Sequence, residues 1–261
     1  MMQQLIEVLG ERFMFWYGFV CIALLGLCVG SFLNVVIFRL IKKESIYKEG
    51  SHCMKCGAKI RWYDNIPVIS YIELKGKCRK CKEQISIQYP VVEALNAVLW
   101  VLLFCKFSYS IDTIIYCLMT SICIAIAVID YRTFEIEPKL QIMLLILGII
   151  TLILTPDKRL HLVGAVCLSI FFLIIYLVTG GNGIGFGDVK LIALLGLIVG
   201  GKAIYVGFVI CALIACVVEI RRKHKTGESK FAFGPYLCMS AYVGVFVGEA
   251  LLNWYIGLFA L

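Results

Sequence analysis

The chain has 261 residues, of which 61% are hydrophobic and only 16% charged, and its formal net charge is +8. A water-soluble domain of this length needs a polar shell that so few charged residues cannot supply, which leaves little room for a soluble enzyme and points to a membrane protein. The basic residues cluster in loops between apolar runs, where membrane topology accounts for them, and no nucleic-acid role is required.

Crossing the hydrocarbon layer takes about 20 apolar residues in a helix. Eight segments qualify as candidates, at 13–40, 91–107, 112–130, 139–155, 160–179, 188–200, 202–220 and 235–259, the second and sixth being short. The first run, Phe13 to Leu40, is too long for a signal-peptide core and follows Glu7 and Glu11 instead of a basic segment, so a retained span is expected. No internal repeat stands out. Lys42, Lys43, Arg79, Lys80, Lys82, Arg221, Arg222, Lys223 and Lys225 fall in one alternating set of loops (41–90, 131–138, 180–187 and 221–234), which the positive-inside bias assigns to the cytoplasm, with both termini outside. The expected fold class is an all-α polytopic membrane protein of about eight transmembrane helices with a small zinc-ribbon-like cytoplasmic loop. Its divisions are an N-terminal segment and first span (1–40), a cysteine loop (41–90) and a transmembrane bundle (91–261).

On this topology Asp130 closes the third span and Asp188 opens the sixth, both at the cytoplasmic boundary. A carboxylate is costly at the edge of hydrocarbon, so each is a candidate functional residue. Asp130 ends the run Ile122 to Ile129, and Asp188 follows Gly183-Ile184-Gly185-Phe186-Gly187, where glycines permit close backbone approach and positive φ angles. Two carboxylates sharing a partly desolvated site cannot both ionise easily, so one keeps its proton. That is the division of labour of an aspartic protease, in which the charged member takes a proton from an attacking water and the neutral one donates to the developing oxyanion. The structural alternative is helix capping: Asp188 suits an N-cap, whereas Asp130 at a C-terminal end would oppose the helix dipole.

Thirteen cysteines are present. Most are scattered singly along apolar segments, as at Cys21, Cys105, Cys167 and Cys216, and read as small buried hydrophobes. The exceptions are Cys53-Met54-Lys55-Cys56 and Cys78-Arg79-Lys80-Cys81, two C-x-x-C pairs inside the long polar loop. A reducing compartment disfavours disulfides there, and two such knuckles suit a four-thiolate structural zinc site, against a redox dithiol or free thiols. A closed site of this kind leaves no position for catalysis. It would staple a ribbon that lacks a core of its own.

Gly185-Phe186-Gly187-Asp188 fits the G-x-G-D signature, and with Val189-Lys190-Leu191 it resembles the type IV prepilin peptidases among membrane aspartic proteases. Further stretches agree in order: Gly30-Ser31-Phe32-Leu33-Asn34 with Arg39-Leu40, Asn65-Ile66-Pro67, Tyr89-Pro90-Val91-Val92-Glu93, and Phe233-Gly234-Pro235-Tyr236. One departure is Ile136-Glu137-Pro138, which displaces the family's turn proline by a residue. The resemblance implies Asp130 and Asp188 as catalytic residues supported by Gly185 and Gly187, in the bacterial plasma membrane with the site at its cytoplasmic face. The implied partners are type IV prepilin or pseudopilin precursors, with a basic leader ahead of a hydrophobic helix, and the bilayer itself. It also implies methylation of the new N-terminus with S-adenosylmethionine, the segment Leu74-Lys75-Gly76-Lys77-Cys78 resembling the part associated with that transfer. Gly76 read alone is a turn residue.

Two other readings stay open: a peptidase whose cysteine loop is purely structural, and a zinc-ribbon membrane transporter or assembly factor. Among other acids, Glu93 is expected to cap a helix start, Glu135 and Glu137 to be solvated, and Glu219 to pair with Arg221 or Arg222. Glu249 is expected to hydrogen-bond between helices, and Lys190 to snorkel or to act on Asp188.

Overall fold

The structure, a computed structural model, describes residues 2–45, 52–53, 55–181, 183–227 and 231–259. Long apolar runs become helices because only a helix satisfies every backbone polar group within its own segment when lipid offers no partner. The helices are α1 (Met2–Lys42), α2 (Ile69–Glu73), α3 (Gln88–Phe107), α4 (Ile111–Thr133), α5 (Pro138–Leu154), α6 (Lys158–Thr179), α7 (Phe186–Val199), α8 (Gly201–Thr226) and α9 (Gly234–Phe259). All eight predicted spans are found as helices. Six of them are long and apolar enough to cross a membrane, and α5 is a shorter apolar helix.

The expected short second span is a full 20-residue helix, because Gln88, Tyr89 and Pro90 make its first turn. A proline is tolerated there, where its missing N–H would have no intrahelical acceptor. The sixth does remain short, at 14 residues. It stops at Gly200, whose φ of +88° breaks the helix one residue before α8 begins.

The chain divides into two compact units, Met1–Ser121 and Ile122–Leu261. In the first, α1 lies against α3 at a seam of small residues: a Cβ on Gly26 would sit 2.8 Å from the Ala97 Cα, and one on Gly30 would sit 2.7 Å from the Glu93 Cα. That closeness brings polar groups into reach across the seam. The Asn96 amide donates to the Gly26 carbonyl at 2.7 Å, Ser121 donates to Asn96 at 2.8 Å, and Trp100 donates to Ser121 at 3.0 Å. Asn34 donates to the carbonyl of Tyr89 at 3.1 Å.

In the second unit α7 is the central helix, packed against α5, α6, α8 and α9. Its Leu191, Ile192, Leu195 and Ile198 are fully buried, which explains why a helix too short to span is apolar all round. Glycines set its distance from α6: a Cβ on Gly164 would fall 2.7 Å from the Gly196 carbonyl oxygen, and one on Gly196 would overlap the Gly164 carbonyl. Small residues likewise join α8 to α9, since a Cβ on Gly248 would meet the Ala203 Cα at 2.7 Å. Gly196→Val should therefore destabilise the second unit by about 1–3 kcal/mol as an overpacked seam. Unfolding of the purified protein in detergent measures this, and an unchanged transition would contradict the seam.

Candidate active site and metal centre

Asp130 lies one turn before the end of α4, in the second unit, and is 5% exposed. Its Oδ2 accepts a 2.9 Å hydrogen bond from the backbone N–H of Gly234, the first residue of α9. That donor belongs to a helix N-terminus, where free N–H groups and the helix dipole favour an anion, so the carboxylate gains from α9 what the end of α4 withholds. Gly234 is required by space: an added Cβ would stand 2.7 Å from the Asp130 Oδ2. The sequence placed Phe233-Gly234-Pro235-Tyr236 near the start of the last span but gave Gly234 no task.

Asp188 is the third residue of α7 and half-buried. It is not the N-cap that the capping alternative would make it. Gly185 occupies that position, and Asp188 reaches back to accept the Gly185 N–H at 3.2 Å, the acidic half of a capping box. Capping and catalysis are thus compatible, because one oxygen of the carboxylate serves the turn. The expected positive φ angles are absent from Gly185 and Gly187. Their constraint is room: a Cβ on Gly185 would lie 3.3 Å from the Asp188 Oδ2, and one on Gly187 would lie 3.4 Å from the Cβ of Ile136.

A residue missed by the sequence reading completes the turn. Gln141, buried on the first turns of α5, donates its side-chain amide to the Gly187 carbonyl at 2.8 Å. The displaced proline fits as well, since Glu137 is the N-cap of α5 and Pro138 its first residue, a position that its fixed φ suits. The α4–α5 connection, which follows Asp130, therefore packs on the turn that carries Asp188 through Ile136, and the start of α5 hydrogen-bonds it through Gln141.

The first unit carries the cysteine loop. The sulfurs of Cys53, Cys56, Cys78 and Cys81 all lie within 4.8 Å of one another. Cys53 and Cys81 are 3.8 Å apart, the edge expected of a tetrahedron with metal–sulfur bonds of about 2.3 Å and far beyond a disulfide bond. The two knuckles are copies at a spacing of 25 residues, a repeat that the sequence reading did not detect. Gly57 donates to the Cys53 carbonyl and Lys82 to the Cys78 carbonyl, at 2.9 and 3.0 Å, and both donors have positive φ. Cys53 and Cys78 donate in turn to Ala58 and Glu83, and bridges join His52 to Lys59 and Lys77 to Gln84. His52 is half-buried in this arrangement.

Backbone N–H groups of Cys81 and then Lys80 point at the Cys78 sulfur and hold its thiol down at about 6. The Glu83 N–H favours ionisation of Cys81, but burial and the neighbouring cysteines outweigh it and push that thiol up to about 11. One negative charge is welcome; more need a cation. A bidentate pair fixes the second knuckle to the preceding 3-10 turn, Trp62–Asn65: Arg79 donates to Asp64 at 3.0 and 2.6 Å, and its guanidinium lies 5.6 Å from the Tyr63 ring. Gly76, with φ +66°, closes α2 through its N–H to the Tyr71 carbonyl and packs on the Tyr71 ring, with Lys77 next in the chain.

Other acids fall as follows. Glu93 is not at the helix start but a turn further in, buried, and it accepts the Val68 N–H at 2.8 Å, tying the loop to α3 where Val68 adopts a φ of +61°. Glu219 does pair with Arg222, at 2.7 Å, and also accepts the Tyr236 hydroxyl at 3.0 Å. The Lys190 ammonium lies 4.6 Å from the Phe186 ring centre. Nothing in the structure explains Glu249, which is exposed on α9.

The four-thiolate cluster fits a structural metal. Purified protein is expected to hold about one zinc per chain, and Cys53→Ser to lose most of it by elemental analysis. Unchanged content in that variant would exclude the site.

The Bacterial Peptidase A24 N-terminal domain model matches residues 24–107, and the Type IV leader peptidase family model matches residues 117–220. Among curated relatives, the prepilin leader peptidase/N-methyltransferase of Neisseria gonorrhoeae is 33% identical, across 90% of this chain and 93% of its own length. That of Pseudomonas aeruginosa is 31% identical across 90% and 92%, and that of Pseudomonas putida 30% across 87% and 90%. No solved structure matches. With likeness running through both units and nearly the full length of these relatives, the chain belongs to the type IV leader peptidase family.

Proposed function

We propose that this protein cleaves the leader from type IV prepilin-like precursors with Asp130 and Asp188 as its acid–base pair, at the cytoplasmic face of the bacterial plasma membrane. The reading is supported by two carboxylates on α4 and α7, segments that meet where Ile136 packs on Gly187 and Gln141 donates to its carbonyl, each carboxylate anchored through one oxygen by a glycine N–H. That leaves the other oxygen of each free of those two anchoring bonds. A water between them loses a proton to the ionised carboxylate as its oxygen attacks the scissile carbonyl. The protonated carboxylate donates to the carbonyl oxygen as charge develops there. Collapse of the tetrahedral species breaks the C–N bond: the proton first taken from water passes to the departing amine, and one hydroxyl of the gem-diol returns its proton to the other carboxylate as the new carboxylic acid forms. The pair ends as it began, with one shared proton.

The orientation rests on charge. Arg39 and Lys42 end α1, Arg132 ends α4, and Lys223, His224 and Lys225 end α8. These mark the ends that the positive-inside bias keeps in the cytoplasm. N-methyl transfer is the second activity in the relatives' names; here its acceptor would be the amine that cleavage exposes, and S-adenosylmethionine would supply the methyl group. Gly76 and Lys77, at the turn closed on Tyr71, are the residues proposed to serve this second step.

Asp130→Asn and Asp188→Asn should each lower cleavage of a model prepilin by about 10³-fold or more while the protein stays folded, since each removes one half of the acid–base pair. Full cleavage by either variant removes the dyad and assigns the cleavage to other groups. Gly234→Ala should lower kcat by at least about tenfold with little change in KM, because the added methyl displaces the Asp130 carboxylate and not the substrate. Gly76→Ala should depress methylation of an already trimmed pilin and spare cleavage. Equal loss of both activities would show that the loop serves folding alone.

A further inference from the structure

The first unit displays apolar side chains that neither its helices nor its metal ribbon covers. Trp62 is 82% exposed, Ile72 68% and Ile69 55%. Ile69 and Ile72 lie three residues apart on α2, hence on one face of it. Ile87, 64% exposed, directly precedes α3. The turn that carries Trp62 is already pinned through Asp64 to Arg79, and Tyr63 takes the guanidinium contacts of Arg61 and Arg79. The indole meets the Tyr63 ring edge-on at 5.6 Å and otherwise stands out from the ribbon, 82% exposed.

The same stretch is strongly basic. From residue 52 to 87 it contains Lys55, Lys59, Arg61, Lys75, Lys77, Arg79, Lys80 and Lys82 against Asp64, Glu73 and Glu83. A surface that is apolar at some points and cationic around them fits a layer with anionic headgroups above hydrocarbon. Tryptophan is the side chain most at home at that boundary. The loop is also tethered to it at both ends, since α1 enters at Lys42 and α3 resumes at Gln88. Tethering converts docking into an intramolecular event with a high effective concentration, so even a weak surface is occupied.

We propose that the cysteine loop rests on the anionic surface of its own membrane, with Trp62 and the Ile69–Ile72 face of α2 in the interface and the surrounding lysines on lipid headgroups. The leaflet is the cytoplasmic one, which rests on the orientation proposed above. A basic leader peptide is a poor occupant on charge. Docking would hold the loop at the height at which a precursor's junction leaves the bilayer.

Full-length protein in nanodiscs tests this, with the emission difference between wild type and Trp62→Phe isolating the one indole. In discs containing phosphatidylglycerol, that component should be blue-shifted and quenched about twofold by lipids brominated high on the acyl chain; quenching should weaken in pure phosphatidylcholine and in high salt. Ile69→Ser/Ile72→Ser should reduce the quenching with zinc content unchanged. A water-exposed, unquenched Trp62 in anionic discs overturns the proposal. So does shielding that appears only when a prepilin peptide or an oligonucleotide is added, which would identify a macromolecular partner. Both leaflets of a disc have the same lipids, and prepilin cleavage is followed in the same samples. Cleavage with Trp62 in water therefore sinks the docking alone, and quenching without cleavage sinks the protease reading alone.

Discussion

The hydrogen bond from the Gly234 N–H to Asp130 is the constraint around which the second unit is organised. A carboxylate near the C-terminal end of an apolar helix has nothing local in its favour: the dipole opposes it and lipid cannot solvate it. It can be kept there only if another element brings a donor. α9 does so with its first N–H, and its register is held in turn by the pairing of Tyr236 with Glu219 on α8. The absence of a side chain at Gly234 is what lets the helix end come that close. Asp188 solves the same problem locally, taking its donor from Gly185 within one turn. The more deeply buried acid depends on tertiary structure, and the shallower one supports itself.

Close backbone approach recurs wherever the second unit needs accuracy. The Gly164–Gly196 contact fixes α7 against α6, small residues fix α9 against α8, and Gly187 admits Ile136 beside the turn. In lipid there is no hydrophobic gain from helix association, so geometry must come from surfaces that fit. This is why α7 can be short. Surrounded by four helices, it does not have to match the bilayer thickness and is free to end at Gly200.

What could be read in the sequence divides along the same physical line. All eight apolar helices were legible because hydropathy over about 20 residues is a direct record of the lipid environment. The two aspartates and the four cysteines were legible because their residue types are costly or reactive in those settings. The seams were not, since a glycine in an apolar run looks the same whether it faces lipid or another backbone. Gln141 carried a weak signal, a lone amide at the start of an apolar helix. The acceptor that gives it meaning is 46 residues away. Glu93 was misread for a related reason: its position beside Tyr89-Pro90 suggested a cap, yet its partner is Val68 in the loop. The 25-residue repeat of the knuckles was visible in principle, as Cys-x-Lys-Cys followed four residues later by isoleucine at both Ile60 and Ile85. It became evident only when matched hydrogen bonds showed two copies of one turn.

The contrast between the units bears on how one chain could run two reactions. The acids of the second unit sit in apolar surroundings held by glycine-scale fits, an arrangement suited to fixing a scissile bond against two carboxyl groups. The ribbon of the first unit is polar, basic and built on short turns, with rigidity that comes from four sulfurs and the Arg79–Asp64 pair instead of a core. The Val68–Glu93 bond ties that ribbon to α3.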